Sequence, residues 1–256
     1  MPALREVVRQ VKIYLAGTYS ERKNKEEVRK CLYLLESFYY IQDWQVEIVK
    51  SVKGFLLDSG AFTFMQSKKN NVNWAEYIER YADFINQNNV ECFFELDIDS
   101  VVGYEKVLEY RQLLERLTGK QSIPVWHKSR GTDEFKRMCD EYSYAAIGGI
   151  VAREIMPNEY KAFPKMIKEA HERRCKLHGL GFTNTKLLPK YHFDSVDSTR
   201  WNCARFGRLE YFNGQTMIAE DRRKDGQRLK GRAEIDGITF TLREWTKYQK
   251  WAETHI

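Results

Sequence analysis

The chain has 256 residues, of which 43% are apolar and 30% charged, and a formal net charge of +6. That is an ordinary soluble composition, long enough to bury a substantial core in one large α/β domain or two small ones. No run of about twenty apolar residues occurs, which argues against a membrane helix. MPALREVVRQVK lacks a signal-peptide core, so a cytoplasmic protein is expected. Cys31, Cys92, Cys139, Cys175 and Cys203 are scattered without a CxxC pair and read as reduced thiols in the core, with no metal site expected.

In chain order, VKIYLAG (11–17) reads as a strand and a turn. Val28, Cys31, Leu32, Leu35 and Phe38 recur at helical spacing and predict a helix over about 25–40. GFLLD (54–58) is the next strand, and Asn73 caps a helix over WAEYIERYADFINQ. Further strands are expected at 91–97, 123–127, 144–149, 175–181 and 191–197, with RLEYF (208–212) as a candidate eighth. Helices are expected at about 103–118, 131–142, 158–173 and 184–189, and TLREWTKYQKWAETH reads as a terminal helix. Strands alternating with helices predict a parallel sheet covered on both faces. Seven or eight such units in this length match a (β/α)₈ TIM-like barrel forming a single domain over 1–256, with a doubly wound open sheet as the alternative.

Sites on parallel α/β folds gather at the carboxyl ends of strands. Here those ends are polar: Asp58-Ser59-Gly60, Asp97 with Asp99, His127, Gly148-Gly149, His178-Gly179, and Asp194 with Asp197. Any one of them is ordinarily a cap or turn residue, but so many on one rim point to chemistry. Carboxylates facing one cavity suit glycosidic-bond cleavage, one attacking the anomeric carbon and another moving a proton. No GxGxxG, GxxxxGK[ST], GxSxG or HExxH occurs, so no cofactor is expected. The segment 222–232 carries Arg222, Arg223, Lys224, Arg228, Lys230 and Arg232 against one acidic residue, Asp225. It reads as a solvated loop or as a contact to a nucleic-acid backbone.

Taken together, these motifs resemble the tRNA-guanine transglycosylases and their DNA-modifying relatives. LDSGAF (57–62) resembles the family's DSGGF; LDIDS (96–100) stands at its second, base-reading aspartate; IGGIVARE (147–154) resembles IGG-L-A-V-G-E. HGLG (178–181), FDSVDSTR (193–200) and NCARFG (202–207) resemble the H-L-M-G-V-G, FDCV-x-PTR and ARNG segments in the same order. The resemblance spans about residues 54–215. It implies a (β/α)₈ enzyme that replaces guanine in a nucleic acid by a 7-deazaguanine.

Carried over, the resemblance implies Asp194 as the nucleophile at the sugar C1′ and Asp58 as the general acid–base. It places Ser59, Gly60, Asp97, Gly148, Gly149, Ile150, Glu154, His178 and Gly179 around the base, with Phe62, Trp126 and Tyr104 as stacking candidates. Arg200 and Arg205 join the basic segment as nucleic-acid contacts. PVWHKS (124–129) replaces the family's VQG, so His127 or Trp126 stands where a glutamine contacts the base. No C-x-C-x-x-C…H zinc site follows Cys203, and the chain is shorter than the tRNA enzymes. Both departures favour the compact phage-type DNA enzymes, with DNA as partner ahead of tRNA, 7-cyano-7-deazaguanine as incoming base, and the host cytoplasm as compartment. A nucleoside hydrolase or deoxyribosyltransferase, and a nucleic-acid-binding subunit without activity, are the alternatives.

Overall fold

A computed structural model describes residues 10–60, 63, 72–221 and 229–256. Seven strands, β1 (Lys12–Ala16), β2 (Tyr33–Ser37), β3 (Gly54–Asp58), β4 (Val125–Trp126), β5 (Tyr144–Ile147), β6 (Lys176–Gly179) and β7 (Ser195–Ser198), form one all-parallel sheet. Its order is β3-β2-β1-β7-β6-β5-β4, and it curls with helices on its outer side, a TIM-like α/β arrangement. Residues 92–95 lie between the two edges. Leu57 N–H donates to the Cys92 carbonyl (3.0 Å) and Phe94 N–H to that of Leu57 (2.9 Å), while Glu95 N–H donates to Ile123 (3.1 Å).

Side-chain alternation sorts each strand into two faces. Tyr14, Tyr33, Leu35, Leu56, Phe94, Ile123, Val125 and Ala146 form a buried cluster built from strand-borne and adjoining residues alone, so it fills the concave interior. The intervening residues, such as Ile13, Leu34, Leu57, Ile147, Leu177 and Val196, pack outward in clusters that include helix residues. Each such large side chain removed from water contributes about 1.5–3 kcal/mol, so both layers are strongly held.

Three expectations are corrected. The stretch expected as a helix over 25–40 holds only one helical turn, Lys25–Val28, and then β2. Tyr33, Leu34, Leu35 and Glu36 are all buried, and a strand covered on both faces is a continuous apolar run, which helical spacing can mimic. The strand expected at 91–97 is reduced to single bridges at Phe93 and Phe94. There the buried Glu95 carboxylate accepts Val125 N–H at 2.7 Å, standing in for a backbone carbonyl, while Tyr81 Oη donates to the Leu57 (3.0 Å) and Phe94 (3.1 Å) carbonyls. Finally, β8 (Arg208–Phe212) pairs antiparallel with β9 (Met217–Asp221) in a separate hairpin instead of joining the main sheet.

Elsewhere the expected elements form, with the strand expected at 191–197 shifted to Ser195–Ser198 and the helix expected at 184–189 shifted to Leu188–Tyr191. Asn73 caps the helix Trp74–Gln87, accepting Glu76 N–H. The terminal helix is longer than expected, Arg232–His255, and its Gln249 amide donates to the Ile13 (2.7 Å) and Tyr33 (2.8 Å) carbonyls and accepts Leu32 N–H (2.9 Å). One side chain thereby satisfies the backbone where β1 and β2 splay apart. Among the described residues, no helix is long and apolar enough to cross a membrane.

Candidate active site at the carboxyl ends of the strands

Strand register decides which aspartates meet. In β3, Leu56 packs in the interior and Leu57 faces outward, so Asp58, two residues beyond Leu56, stands on the interior face at the strand's carboxyl end. In β7, Val196 packs outward, and Asp197 pairs across with the interior Tyr14. Asp197 is therefore on the same face and at the same end as Asp58. Asp194 is not. It precedes β7 at the amino end, where its carbonyl accepts Lys12 N–H and its carboxylate accepts Leu177 N–H (2.8 Å) and bonds His171 Nε2 (2.7 Å) on the helix Phe163–Glu172. The nucleophile assignment to Asp194 is thus corrected: that side chain is a strand-to-helix anchor at the opposite end of the sheet from Asp58.

Asp58 is half-buried, and its Oδ2 accepts Gly60 N–H at 3.0 Å. Burial, partly offset by that hydrogen bond and reinforced by the negative charges of Asp197 and Asp97, pushes its pKa up to about 6. Gly60 has φ +79°, and a Cβ there would lie 2.6 Å from Tyr39 Cβ. Only glycine lets the chain double back to donate to its own aspartate. Ser59 is buried with its carbonyl held by Tyr77 Oη (2.6 Å), which supports the turn from below.

Asp197 Oδ1 accepts Gly181 N–H at 2.6 Å and lies 3.3 Å from His178 Nε2. His178, fully buried among Tyr14, Phe94 and Tyr144, has Nδ1 2.6 Å from Ser195 Oγ, which in turn contacts Tyr144 Oη. A carboxylate only accepts, so a proton on His178 Nε2, with Ser195 donating to Nδ1 and Tyr144 to Ser195, satisfies every member of the chain. Burial holds the Tyr144 phenol protonated. His178 thus lies beneath Asp197 and orients it; the expected direct contact with a base is corrected. Gly179 faces the helices, where a Cβ would meet Phe182 and Phe193, so it too lies off the expected surface.

On the other side of the mouth, both Asp97 oxygens are 2.8–2.9 Å from His127 Nε2, and Glu154 Oε2 is 2.8 Å from Nδ1. Burial opposes charge on His127, but the Asp97 and Glu154 carboxylates prevail and push its pKa up to about 9. Glu154 also accepts Ser129 N–H (2.8 Å), and the imidazole and that amide hold its carboxyl below the usual range despite partial burial. Gly148 makes room: a Cβ would sit 2.9 Å from the His127 ring. Gly149, at φ +76°, leaves space for Glu154, and its carbonyl accepts Glu154 and Ile155 N–H. Ile150 is buried with its side chain in the outer core.

His127, not Trp126, faces this mouth. Trp126 packs outward against Phe135 and donates Nε1–H to the Gly131 carbonyl (2.8 Å), so its stacking role is corrected. Tyr104 is corrected likewise: its ring lies under the Arg130 guanidinium, 4.2 Å away, and its hydroxyl bonds Glu134. Arg130 was not anticipated from the sequence. Its guanidinium lies 3.1 Å from Asp99, 3.6 Å from Asp97 and 3.5 Å from buried Glu95, which also receives Arg111 Nε at 2.6 Å.

Asp97, Asp99 and His127 bring donor atoms within 4.8 Å of one another, the separation a metal ion needs. The arrangement does not fit one, because Arg130 already supplies positive charge between the carboxylates and both His127 nitrogens are engaged. Arg200 and Arg205, expected to touch nucleic acid, are paired internally, Arg200 Nε with buried Glu210 (2.9 Å) and Arg205 with Glu21. Lys230 is exposed, and Arg232 pairs with Asp236 at 2.9 Å. Phe62, Arg222, Arg223, Lys224 and Arg228 lie outside the described residues.

No family model matches the chain, and no curated protein matches it. The site is therefore read from its own chemistry. It holds one carboxyl able to keep a proton near neutrality, a second carboxylate oriented from below, and a charged histidine clamped between two acids.

Proposed function

We propose that this chain is a pentosyltransferase that exchanges a base on a nucleic-acid sugar, with Asp197 as nucleophile and Asp58 as general acid–base. The observation that carries the reading is the convergence of Asp58 and Asp197 at one end of the curled sheet, with Asp58 pushed up to about 6 partly by the Asp197 charge. A buried carboxyl with raised proton affinity suits the acid, and a carboxylate held by donated hydrogen bonds suits the nucleophile. The fold fits a (β/α)₈ barrel whose eighth strand is the segment 92–95, joined to both edges by the bridges Leu57–Phe93 and Phe94–Ile123.

In the first step an Asp197 oxygen attacks C1′, the C1′–N bond breaks, and Asp58 delivers its proton to the departing guanine. In the second, Asp58 takes the ring N–H proton of the incoming base, whose nitrogen displaces Asp197 from C1′. Two displacements give net retention. His178 holds the Asp197 carboxylate in line, and Asp97 meets the donor edge of a guanine-type base once His127 yields it. The departures from the tRNA enzymes favour DNA over tRNA, with 7-cyano-7-deazaguanine as the usual incoming base of the DNA enzymes and Glu154 keeping the aminomethyl variant open.

The test uses guanine-labelled DNA, tRNA and free deoxyguanosine, each with 7-cyano-7-deazaguanine. Label release from DNA, and a sugar adduct mapped by mass spectrometry to the peptide holding Asp197, are expected. Folded protein that releases label from none of the three sinks the reading.

A further inference from the structure

A cavity of about 580 Å³ opens beside the nucleophile, between the end of β6 and the β8–β9 hairpin. Its polar wall includes Thr183, Asn184, Lys186, Arg200 and Arg208, and no described acidic residue lines it. Gly181 forms the remaining edge, and it is this residue whose N–H donates to Asp197 Oδ1 at 2.6 Å. One hydrogen bond therefore separates the cavity wall from the nucleophile. Arg200 is held in place by fully buried Glu210, whose other oxygen accepts Trp245 Nε1–H at 3.1 Å. Glu210 neutralises Arg200 but fixes its guanidinium as a rigid donor, while Lys186 and Arg208 are exposed and bring two further cations to the lining.

We infer that this cavity is a phosphodiester-binding site, which seats the backbone of a polynucleotide so that the adjoining sugar faces Asp197. A guanidinium fixed by Glu210, two exposed cations, a hydroxyl and an amide, with no acidic residue in the described lining, are the donors that phosphate oxygens take. The inference rests on the glycosyl-transfer reading for its orientation, but its binding claim stands alone. It adds the hairpin and the loop after β6 to the nucleic-acid contact expected of the basic segment at 222–232, most of which lies outside the described residues.

Fluorescence anisotropy of a labelled, guanine-containing single-stranded oligonucleotide across a salt series tests it. Lys186→Ala/Arg208→Ala should weaken binding about tenfold or more and lower the slope of log affinity against log salt by about 1–2. Lys50→Ala/Lys168→Ala, on exposed surface elsewhere, should match wild type. Wild-type affinity in the first variant overturns the site, as does failure of the wild-type protein to bind the oligonucleotide. Displacement of the oligonucleotide by an equal concentration of inorganic phosphate overturns the backbone assignment in favour of a free-phosphate site. The two readings separate cleanly. Binding that depends on Lys186 and Arg208 without base exchange leaves this site standing and removes the transferase; exchange on DNA with oligonucleotide affinity unchanged in Lys186→Ala/Arg208→Ala does the reverse.

Discussion

On the proposed mechanism, Asp197→Asn is expected to abolish base exchange, lowering kcat by about 10⁴-fold or more, with no sugar adduct accumulating. Asp194→Asn leaves exchange within about threefold of wild type and instead lowers unfolding free energy by about 1–3 kcal/mol. The contrast follows from alternation along one strand. Asp194 and Asp197 are three residues apart, so they fall on opposite faces and at opposite ends of β7. The Asn at 197 can still accept the Gly181 N–H, so the fold is kept while the nucleophile is lost. Asp194→Asn weakens the contacts to His171 and Leu177 N–H, a partly buried anchor remote from the reacting carbon. Single-turnover exchange and urea unfolding of the two variants decide it. Activity lost in Asp194→Asn and kept in Asp197→Asn reverses the assignment.

Asp58→Asn is expected to be slow and yet more stable. Loss of the acid lowers kcat/KM by about 10²–10⁴-fold. The stability gain follows from linkage. In the unfolded chain the carboxyl titrates at its ordinary 3.8, whereas in the folded protein burial and the neighbouring charges raise it to about 6. Between those values only the folded state holds the proton, so stability falls as pH rises through this window and stays low above it. The cost at pH 8 is up to about 3 kcal/mol, an upper figure because the carboxylate keeps some contact with water. Asn escapes it, so the variant should gain on wild type from pH 4 to pH 7, measured by unfolding at each pH. In the wild-type enzyme, kcat/KM for base release should fall about tenfold per pH unit above about 6, as the acid form is lost. A variant with wild-type stability at pH 8, or a wild-type rate flat from pH 5 to 8, removes Asp58 from the role of acid.

Much of the mouth was legible because polar residues in a parallel α/β chain are conspicuous at strand ends, and Asp58, Asp97, His127, Glu154 and Asp197 all lie there. What failed was register. FDSVD offers two aspartates, and motif similarity favours the first, whereas the alternation Asp194-out, Ser195-in, Val196-out, Asp197-in selects the second. The same alternation separates Trp126 from His127. Counting from the apolar Val196 with a period of two would have found the acid without coordinates. Arg130, Glu95 and Arg111 were not legible at all, since a buried ion-pair network depends on residues brought from three segments. The strand β2 was missed because a run buried on both faces has no period of its own.

Tyr14, Tyr33, Phe94 and Tyr144 pack together in the interior beneath the carboxylates, so a guest is expected to enter from the mouth. On the proposed double displacement, the outgoing purine leaves before its replacement attacks, so the sugar waits on the protein between the two visits. Initial-rate plots at several fixed concentrations of the second base should then run parallel, the signature of a shuttle that never holds both passengers together.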